Sequence, residues 1–412
     1  MKLTVIGLGY IGLPTGLLFA SKGVDVVGVD INSNVVEGLN NGKLHIEETG
    51  MEELLHASLA AGNFKASLEV ETADYYIVAV PTPYLPDNSC DLSYMKEAIA
   101  KLKDVLKKGD TIIIESTIAP RTMEDVAAPM IAAYGYEIGE NIFLAHCPER
   151  VLPGKIIEEM VHNNRIIGGI TPNCAKKAKE LYLTLVKGEI FETKASTAEM
   201  SKLMENTYRD VNIALANELV KISDSLGINA LDVIQLANEH PRVNIHFPGP
   251  GVGGHCLAVD PYFIVASDRA DAKLIAISRE INSSMPAFVI GKAKKIMAAK
   301  NGKRITVLGL TYKGNIDDIR ESPALEIYHQ LKRETDFEIV AQDSHVNLDW
   351  VEADIKKALT GSDLALVLTD HKEYKELNKY VTEDIVVFDT KNIVDEVGID
   401  HYYNFNSISE IK

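Results

Sequence analysis

The residues best placed to do chemistry surround one sulfur. Residues 249–263 read GPGVGGHCLAVDPYF, a glycine- and proline-rich run holding Cys256, with Asp260 four residues further on. Glycines let backbone N–H groups approach a ligand closely. A nest of such dipoles also favours a thiolate over a thiol. The cysteine therefore either acts as a nucleophile or merely fits a tight turn. Upstream, Lys202, Asn206 and Arg209 fall at i, i+4 and i+7 of one helical segment and share a face. A lysine, an amide and an arginine on one face can line an anionic polar site, or can form a solvated surface. His240 and Arg242 lie close in sequence to the glycine loop.

The elements that must position these groups follow from the pattern. Residues 2–30, KLTVIGLGYIGLPTGLLFASKGVDVVGVD, read as strand, glycine turn, helix and strand. Gly7, Gly9 and Gly12 form G-x-G-x-x-G, and Asp30 ends the second strand 18 residues after Gly12. Such glycines permit a tight turn, approach of backbone to a pyrophosphate, and close helix–strand packing. The helix N-terminus then faces the phosphates. An acid at Asp30 can accept from ribose hydroxyls and repel a 2′-phosphate, which favours NAD over NADP. Two further strands, in DYYIVAVPTP and DTIIIESTIAP, end near Thr82 and Thr117. Both hydroxyls are candidate cofactor contacts, or caps of their own turns.

From about 196 to 226 the spacing predicts one long helix, closed by Gly227. The segment from about 196 to 300 is largely helical. From about 303 the chain restarts as a second nucleotide-binding-type α/β unit without G-x-G-x-x-G. Its strands lie in RITVLGL, FEIVAQD, SDLALVLTD and DIVVFDTKN. A phosphate there would meet Lys313 and backbone. The expected fold is therefore α/β: two Rossmann-like doubly wound parallel-sheet domains joined by a helical central domain with one long helix. The expected boundaries are 1–195, 196–300 and 301–412.

Composition bounds the function. The 412 residues are 46% hydrophobic and 25% charged, an ordinary globular balance for two or three domains. The net charge of −17 leaves no basic footprint for nucleic acid. Four scattered cysteines without CxxC spacing argue against a zinc ribbon or a disulfide scaffold and fit a reducing cytoplasm; no metal is expected. The opening MKLTVIGLG enters a strand at once, with no signal peptide, and no apolar run reaches the roughly 20 residues that span a bilayer.

Taken together, GLGYIGLP, VPTP, ESTIAP, CPERVLPG, AEMSKLMENTYRDVN, HPRVN, GPGVGGHCLAVDP and TYKGNIDDIRESP resemble the UDP-glucose/GDP-mannose dehydrogenase family of UDP-sugar 6-dehydrogenases over essentially the whole chain. HPRVN and GGHCLAVDP resemble the branch acting on UDP-N-acetyl-D-mannosamine. UDP-glucose enzymes typically carry serine and lysine where this chain has His255 and Val259. UDP-N-acetylglucosamine enzymes usually lack HPRVN. The resemblance implies oxidation of a C6 alcohol to a carboxylate with two NAD+ and one water, for bacterial surface polysaccharide. It implies Cys256 as nucleophile through a thiohemiacetal and a thioester. Lys202 and Asn206 would stabilise charge on the substrate oxygen, with Lys202 also moving a proton. Asp260 or Glu149 would activate the hydrolytic water. Tyr10, Ile11, Asp30, Thr82, Thr117 and Arg320 would touch NAD. Arg150, Val151, Lys202, Asn206, Arg209, His240, Arg242, Gly253, Tyr312 and Lys313 would hold the UDP-sugar, some of them from a partner subunit. The long helix would form a homodimer.

Overall fold

The computed structural model describes residues 1–46, 48–152 and 154–411. Of the motifs above, only Pro153 of CPERVLPG lies outside them. The chain forms two compact units, Met1–Glu205 with Ala266–Asp268, and Asn206–Val265 with Arg269–Lys412.

In the N-terminal unit, eight strands build one sheet: β1 (Lys2–Ile6), β2 (Asp25–Val29), β3 (Phe64–Ser67), β4 (Tyr75–Val78), β5 (Thr111–Ile114), β6 (Phe143–His146), β7 (Arg165–Gly169) and β8 (Ile190–Lys194). Their order is β3-β2-β1-β4-β5-β6-β7-β8. The direction of winding reverses between β1 and β4, and ligands of such sheets sit at the carboxyl edge of that point. The strands are apolar on both faces because helices cover both sides. Alternate residues accordingly enter opposite cores: Leu3 and Val5 pack on one side, Val27 and Val29 on the other.

The first six strands are parallel, as the alternation of strand and helix predicts. β7 departs from that expectation and runs antiparallel to β6. A parallel return needs a crossover to the opposite edge of the sheet, whereas an antiparallel one does not. The connection from β6 to β7, with its short helix Ile156–His162, therefore stays at the carboxyl edge. That keeps Glu149, just after β6, beside Arg165, the first residue of β7.

The other unit carries a wholly parallel sheet of β9 (Arg304–Leu308), β10 (Glu338–Gln342), β11 (Val351–Glu352), β12 (Leu364–Val367), β13 (Val386–Asp389) and β14 (Tyr402–Asn404). Its order, β11-β10-β9-β12-β13-β14, repeats the first six positions of the N-terminal sheet. The predicted long helix is Ala195–Leu226, 32 residues or about 48 Å. Shorter helices follow at Ala230–Asn238, Asp260–Ser267, Lys273–Ser283 and Met285–Lys300.

Candidate active site

The glycine turn after β1 has the geometry a dinucleotide needs. Gly7 adopts φ +92°, open to glycine at little cost, and donates its N–H to Val29 O at 2.8 Å. A Cβ at Gly12 would lie 1.9 Å from Gly7 O, so only glycine lets the helix Gly12–Ser21 start there. A Cβ at Gly9 would meet nothing within 4 Å, so the space beside this backbone is open. Asp30 accepts from the N–H of Leu8 at 3.0 Å and of Asn32 at 2.9 Å and stays partly exposed. Ile11 is the residue before the helix, and Tyr10 is 45% exposed. These residues fit NAD: open backbone for the phosphates and a carboxylate for the ribose. Thr82 and Thr117 meet, with the Thr82 hydroxyl donating to Thr117 O at 2.6 Å. The Thr82 proton is thus spent on a carbonyl of the segment after β5, and its oxygen remains an acceptor.

Glu149 is held on both oxygens. Oε1 accepts the Arg150 N–H at 2.8 Å, and Oε2 accepts from Arg165 Nη2 at 2.7 Å. Arg150 pairs with Glu205 at 2.6 Å and also donates to Asn164 O. Val151 packs against the apolar core.

In the second unit the fold joins two candidates that stand 54 residues apart. The buried Asn206 amide donates to the buried Asp260 carboxylate at 2.6 Å. Asp260 in turn donates its N–H to Cys256 O at 2.8 Å, closing the turn that starts the helix Asp260–Ser267. Cys256 itself is half-buried and in no disulfide. The cysteine loop rests on the Tyr312 loop: a Cβ at Gly253 would meet Tyr312 Cβ at 2.8 Å, and one at Gly254 the Tyr312 ring at 2.8 Å. Gly254 N–H donates to Arg320 O at 3.1 Å. Burial raises the Tyr312 phenol above its usual range, and the charges of Asp318 and Cys256 add to the shift.

Some predicted groups lie apart from this cluster. Lys202 and Asn206 are buried, but Arg209 is exposed. The buried polar stripe of the helix continues instead through Asp210 and Asn217, which lie at rotations closer to Asn206 than Arg209 does. His240 and Arg242 lie in an exposed turn, tied by Arg242 N–H to His240 Nδ1 at 3.3 Å. Lys313 is exposed. Arg320 forks onto Asp318, with Nε and Nη2 at 2.9 and 2.6 Å.

Sequence reasoning missed a buried ladder behind the cysteine loop. Asp210 accepts from Arg279 at 2.6 Å and from Asn282 at 2.8 Å. Asn217 donates to Asn282 and accepts the Gly249 N–H at 2.9 Å. The long helix therefore anchors the start of the glycine loop through Asn217. The signal was present: Lys202, Asn206, Asp210 and Asn217 recur at helical spacing.

Comparison with known proteins places this geometry in a family. Three models of the UDP-glucose/GDP-mannose dehydrogenase family match: the NAD binding domain over residues 1–186, the central domain over 196–284 and the UDP binding domain over 306–396. The chain belongs to that family. It is an NAD-dependent nucleotide-sugar dehydrogenase. A UDP-N-acetyl-D-mannosamine dehydrogenase from Methanocaldococcus jannaschii is 46% identical, covering 95% of this chain and 92% of that protein. An NDP-N-acetyl-D-galactosaminuronic acid dehydrogenase from Ralstonia solanacearum is 42% identical over 95% of this chain and 96% of its own length. Among solved structures, the UDP-N-acetyl-mannosamine dehydrogenase Cap5O from Staphylococcus aureus is 56% identical, with a TM-score of 0.94 and full coverage of both chains.

Proposed function

We propose that the protein oxidises the C6 alcohol of UDP-N-acetyl-D-mannosamine to UDP-N-acetyl-D-mannosaminuronate through a thioester on Cys256. The observation that carries the mechanism is the bond between Asn206 and Asp260 beside the Cys256 turn. The choice of sugar is supported by the relatives acting on UDP-N-acetylmannosamine and by His255, Val259 and HPRVN.

Lys202 takes the hydroxyl proton, and the Asn206 amide, fixed by Asp260, donates to the substrate oxygen as charge develops on it. Two NAD+ molecules, bound one after the other, would each take one of the two hydrides lost from C6. Between them the Cys256 sulfur adds to the aldehyde carbon, giving a thiohemiacetal whose oxidation is a thioester. Water then attacks the thioester carbon, the carbon–sulfur bond breaks, and Cys256 recovers its thiol. Asp260 serves to fix Asn206, and we assign the water proton to Glu149, whose carboxylate oxygens keep further lone pairs beside the bonds from Arg150 and Arg165. Alcohol, two NAD+ and one water thus give carboxylate, two NADH and three protons.

Asp30, Tyr10, Ile11, Thr82 and Thr117 would hold NAD. Arg320 would join them once released from Asp318. Tyr312, Lys313, Gly253, Arg150, Val151 and Arg209 would hold the UDP-sugar, with His240 and Arg242 reaching it in the assembled protein. A homodimer is supported by one stripe of exposed apolar residues on the long helix: Met200, Met204, Tyr208, Leu215, Ile222 and Leu226. They fall within about 80° of one another around the helix and form one exposed apolar face. We also propose three domains, 1–195, 196–300 and 301–412, and cytoplasmic synthesis of a precursor for surface polysaccharide. No helix among the described residues is long and apolar enough to cross a membrane.

NADH and uronate counted side by side for UDP-N-acetylmannosamine, UDP-N-acetylglucosamine and UDP-glucose test this reading. Two NADH per uronate on the first sugar alone is expected. One NADH per product defeats the thioester route, and turnover on UDP-glucose defeats the choice of sugar. Cys256→Ser should bind the UDP-sugar yet lose carboxylate production by about 10³-fold or more.

A further inference from the structure

Behind Glu149 lies a buried cluster that the reaction above does not use. Arg165 is 5% exposed, and its guanidinium faces two carboxylates: Glu149 Oε2 at 2.7 Å and Glu115 Oε1 at 4.0 Å. It also donates to Cys147 Sγ at 3.8 Å and lies 5.0 Å over the Tyr182 ring. Glu115 is buried and accepts from the hydroxyls of Tyr182 at 2.6 Å and Thr15 at 3.2 Å. Each group comes from a different place: Glu115 follows β5, Cys147 and Glu149 follow β6, Arg165 opens β7, and Thr15 and Tyr182 come from the helices Gly12–Ser21 and Pro172–Tyr182.

One arginine can neutralise one carboxylate. A second anion buried without a partner is strongly unfavourable, and such a group takes up a proton instead. Geometry decides which does so. Glu149 has the short charged contact and a backbone N–H, and is partly exposed. Glu115 is further from the guanidinium, and two neutral hydroxyls complete its surroundings. We propose that Arg165 is a positioning residue for Glu149, fixing the carboxylate's orientation and charge for thioester hydrolysis, and that Glu115 carries the proton that leaves the arginine's charge to Glu149. This rests on the assignment of Glu149 to the hydrolytic water. Burial pushes the Glu115 carboxyl up to about 7, against the pull of Arg165 and of the Tyr182 and Thr15 hydroxyls and with the charge of Glu149 adding to the rise.

Rapid-quench kinetics and intact-mass measurement on the full-length protein, with NAD+ and UDP-N-acetylmannosamine, test the proposal. Arg165→Met should keep a fast burst of two NADH per active site, then release uronate about 30-fold more slowly than wild type, with the acyl adduct on Cys256 accumulating. Arg165→Lys, which keeps the charge and loses the fork, should recover part of that rate. Where Arg165→Met fails to fold, Arg165→Gln, which keeps a neutral donor toward Glu149 and loses the charge, carries the same test. Turnover within about 3-fold of wild type overturns the proposal. So does a folded variant that loses burst and steady rate together. Glu149→Gln separates the two layers. If it neither slows hydrolysis nor accumulates adduct, the role of Glu149 falls; if it does both while Arg165→Met does neither, only the role of Arg165 falls. The proton on Glu115 has its own readout. A carboxyl raised on folding loses native stability as pH climbs from its unfolded value toward its folded one. The thermal midpoint of Glu115→Gln relative to wild type should therefore rise between about pH 4.5 and pH 7 and level off above that. A difference that stays constant over that range overturns the part given to Glu115.

Discussion

The two Rossmann-type sheets begin with the same frame and finish it differently. In the N-terminal unit, Gly7 N–H donates to Val29 O, Leu8 N–H to Asp30 Oδ2, and Asn32 N–H to Asp30 Oδ1, at 2.8, 3.0 and 2.9 Å. In the second sheet, Gly309 N–H donates to Gln342 O, Leu310 N–H to Asp343 Oδ2, and His345 N–H to Asp343 Oδ1, at 2.8, 2.8 and 2.9 Å. Gly7 and Gly309 share a positive φ, +92° and +86°. The acid at the end of the second strand then diverges. Asp30 is partly exposed, with room to accept from a ribose. Asp343 is fully buried, and His371 Nε2 sits 3.1 Å from its Oδ2.

His371 is a strut as well as a cover. Its Nδ1 accepts the Asn315 N–H at 2.9 Å, which assigns the ring proton to Nε2 facing Asp343. Thr369 donates to Thr311 O, and Asp370 accepts the Gly314 N–H. The 311–315 loop that carries Tyr312 and Lys313 is thus pinned from beneath by the side chains that occupy the acid's surroundings. One frame leaves its carboxylate partly exposed. The other spends it on holding a loop, so a nucleotide there must be met by loop side chains and backbone. The difference lies in what covers one aspartate, since the strand order is the same.

The comparison can be broken by experiment. The largest effect is expected from Gly12→Ala, whose Cβ would lie 1.9 Å from Gly7 O. NAD+ affinity should fall by about 100-fold or more in titration calorimetry, while UDP binding stays within about 2-fold. An equal loss of both would show that the two frames do not act separately. His371→Ala should come next, costing about 3 kcal/mol in urea unfolding because it strands the Asp343 carboxylate. It should also raise the UDP-sugar KM by about 10-fold with the NAD+ KM unchanged. Burial opposes the charge on Asp343, but His371 and the N–H groups of Leu310 and His345 outweigh it and hold the carboxyl below its usual range. A carboxyl lowered on folding adds stability above its unfolded value, and that stability is lost as pH falls through the folded one. Acid titration of Asp343→Asn should therefore lack part of the wild-type loss below about pH 4. Asp30→Asn should give the smallest effect, about 10-fold on the NAD+ KM, with weaker discrimination against NADP+ and no shift in the UDP-sugar KM. A shift in the UDP-sugar KM as large as that for NAD+ would erase the contrast with Asp343.

Much of the candidate site was legible because its signals are local. Gly7, Gly9, Gly12 and Asp30 fall within one strand–helix–strand run, and Lys202 and Asn206 sit on adjacent turns of one helix. The arrangement of Cys256 and Asp260 is likewise one tight turn. Arg209 shares the predicted face yet is exposed: it lies within about 20° of Lys202 but on the side away from Asn206, Asp210 and Asn217, at the edge of the buried stripe. Arg165 and His371 gave no signal at all. Each is an ordinary residue in its own segment, and its importance comes from partners 16 to 50 residues away for Arg165 and 28 to 60 for His371.

By itself the sequence determined the elements, the two α/β frames, the dinucleotide turn and the chemical types of the reactive groups. These follow from periodicity, glycine geometry and capping, which act over a few residues. Only the tertiary structure decided that β7 runs antiparallel to β6, that Asn206 meets Asp260, that one arginine serves two carboxylates, and that Asp343 is covered while Asp30 is open. Those outcomes depend on which distant side chains share a buried volume, where every polar group must find a partner that its own neighbours in sequence cannot supply.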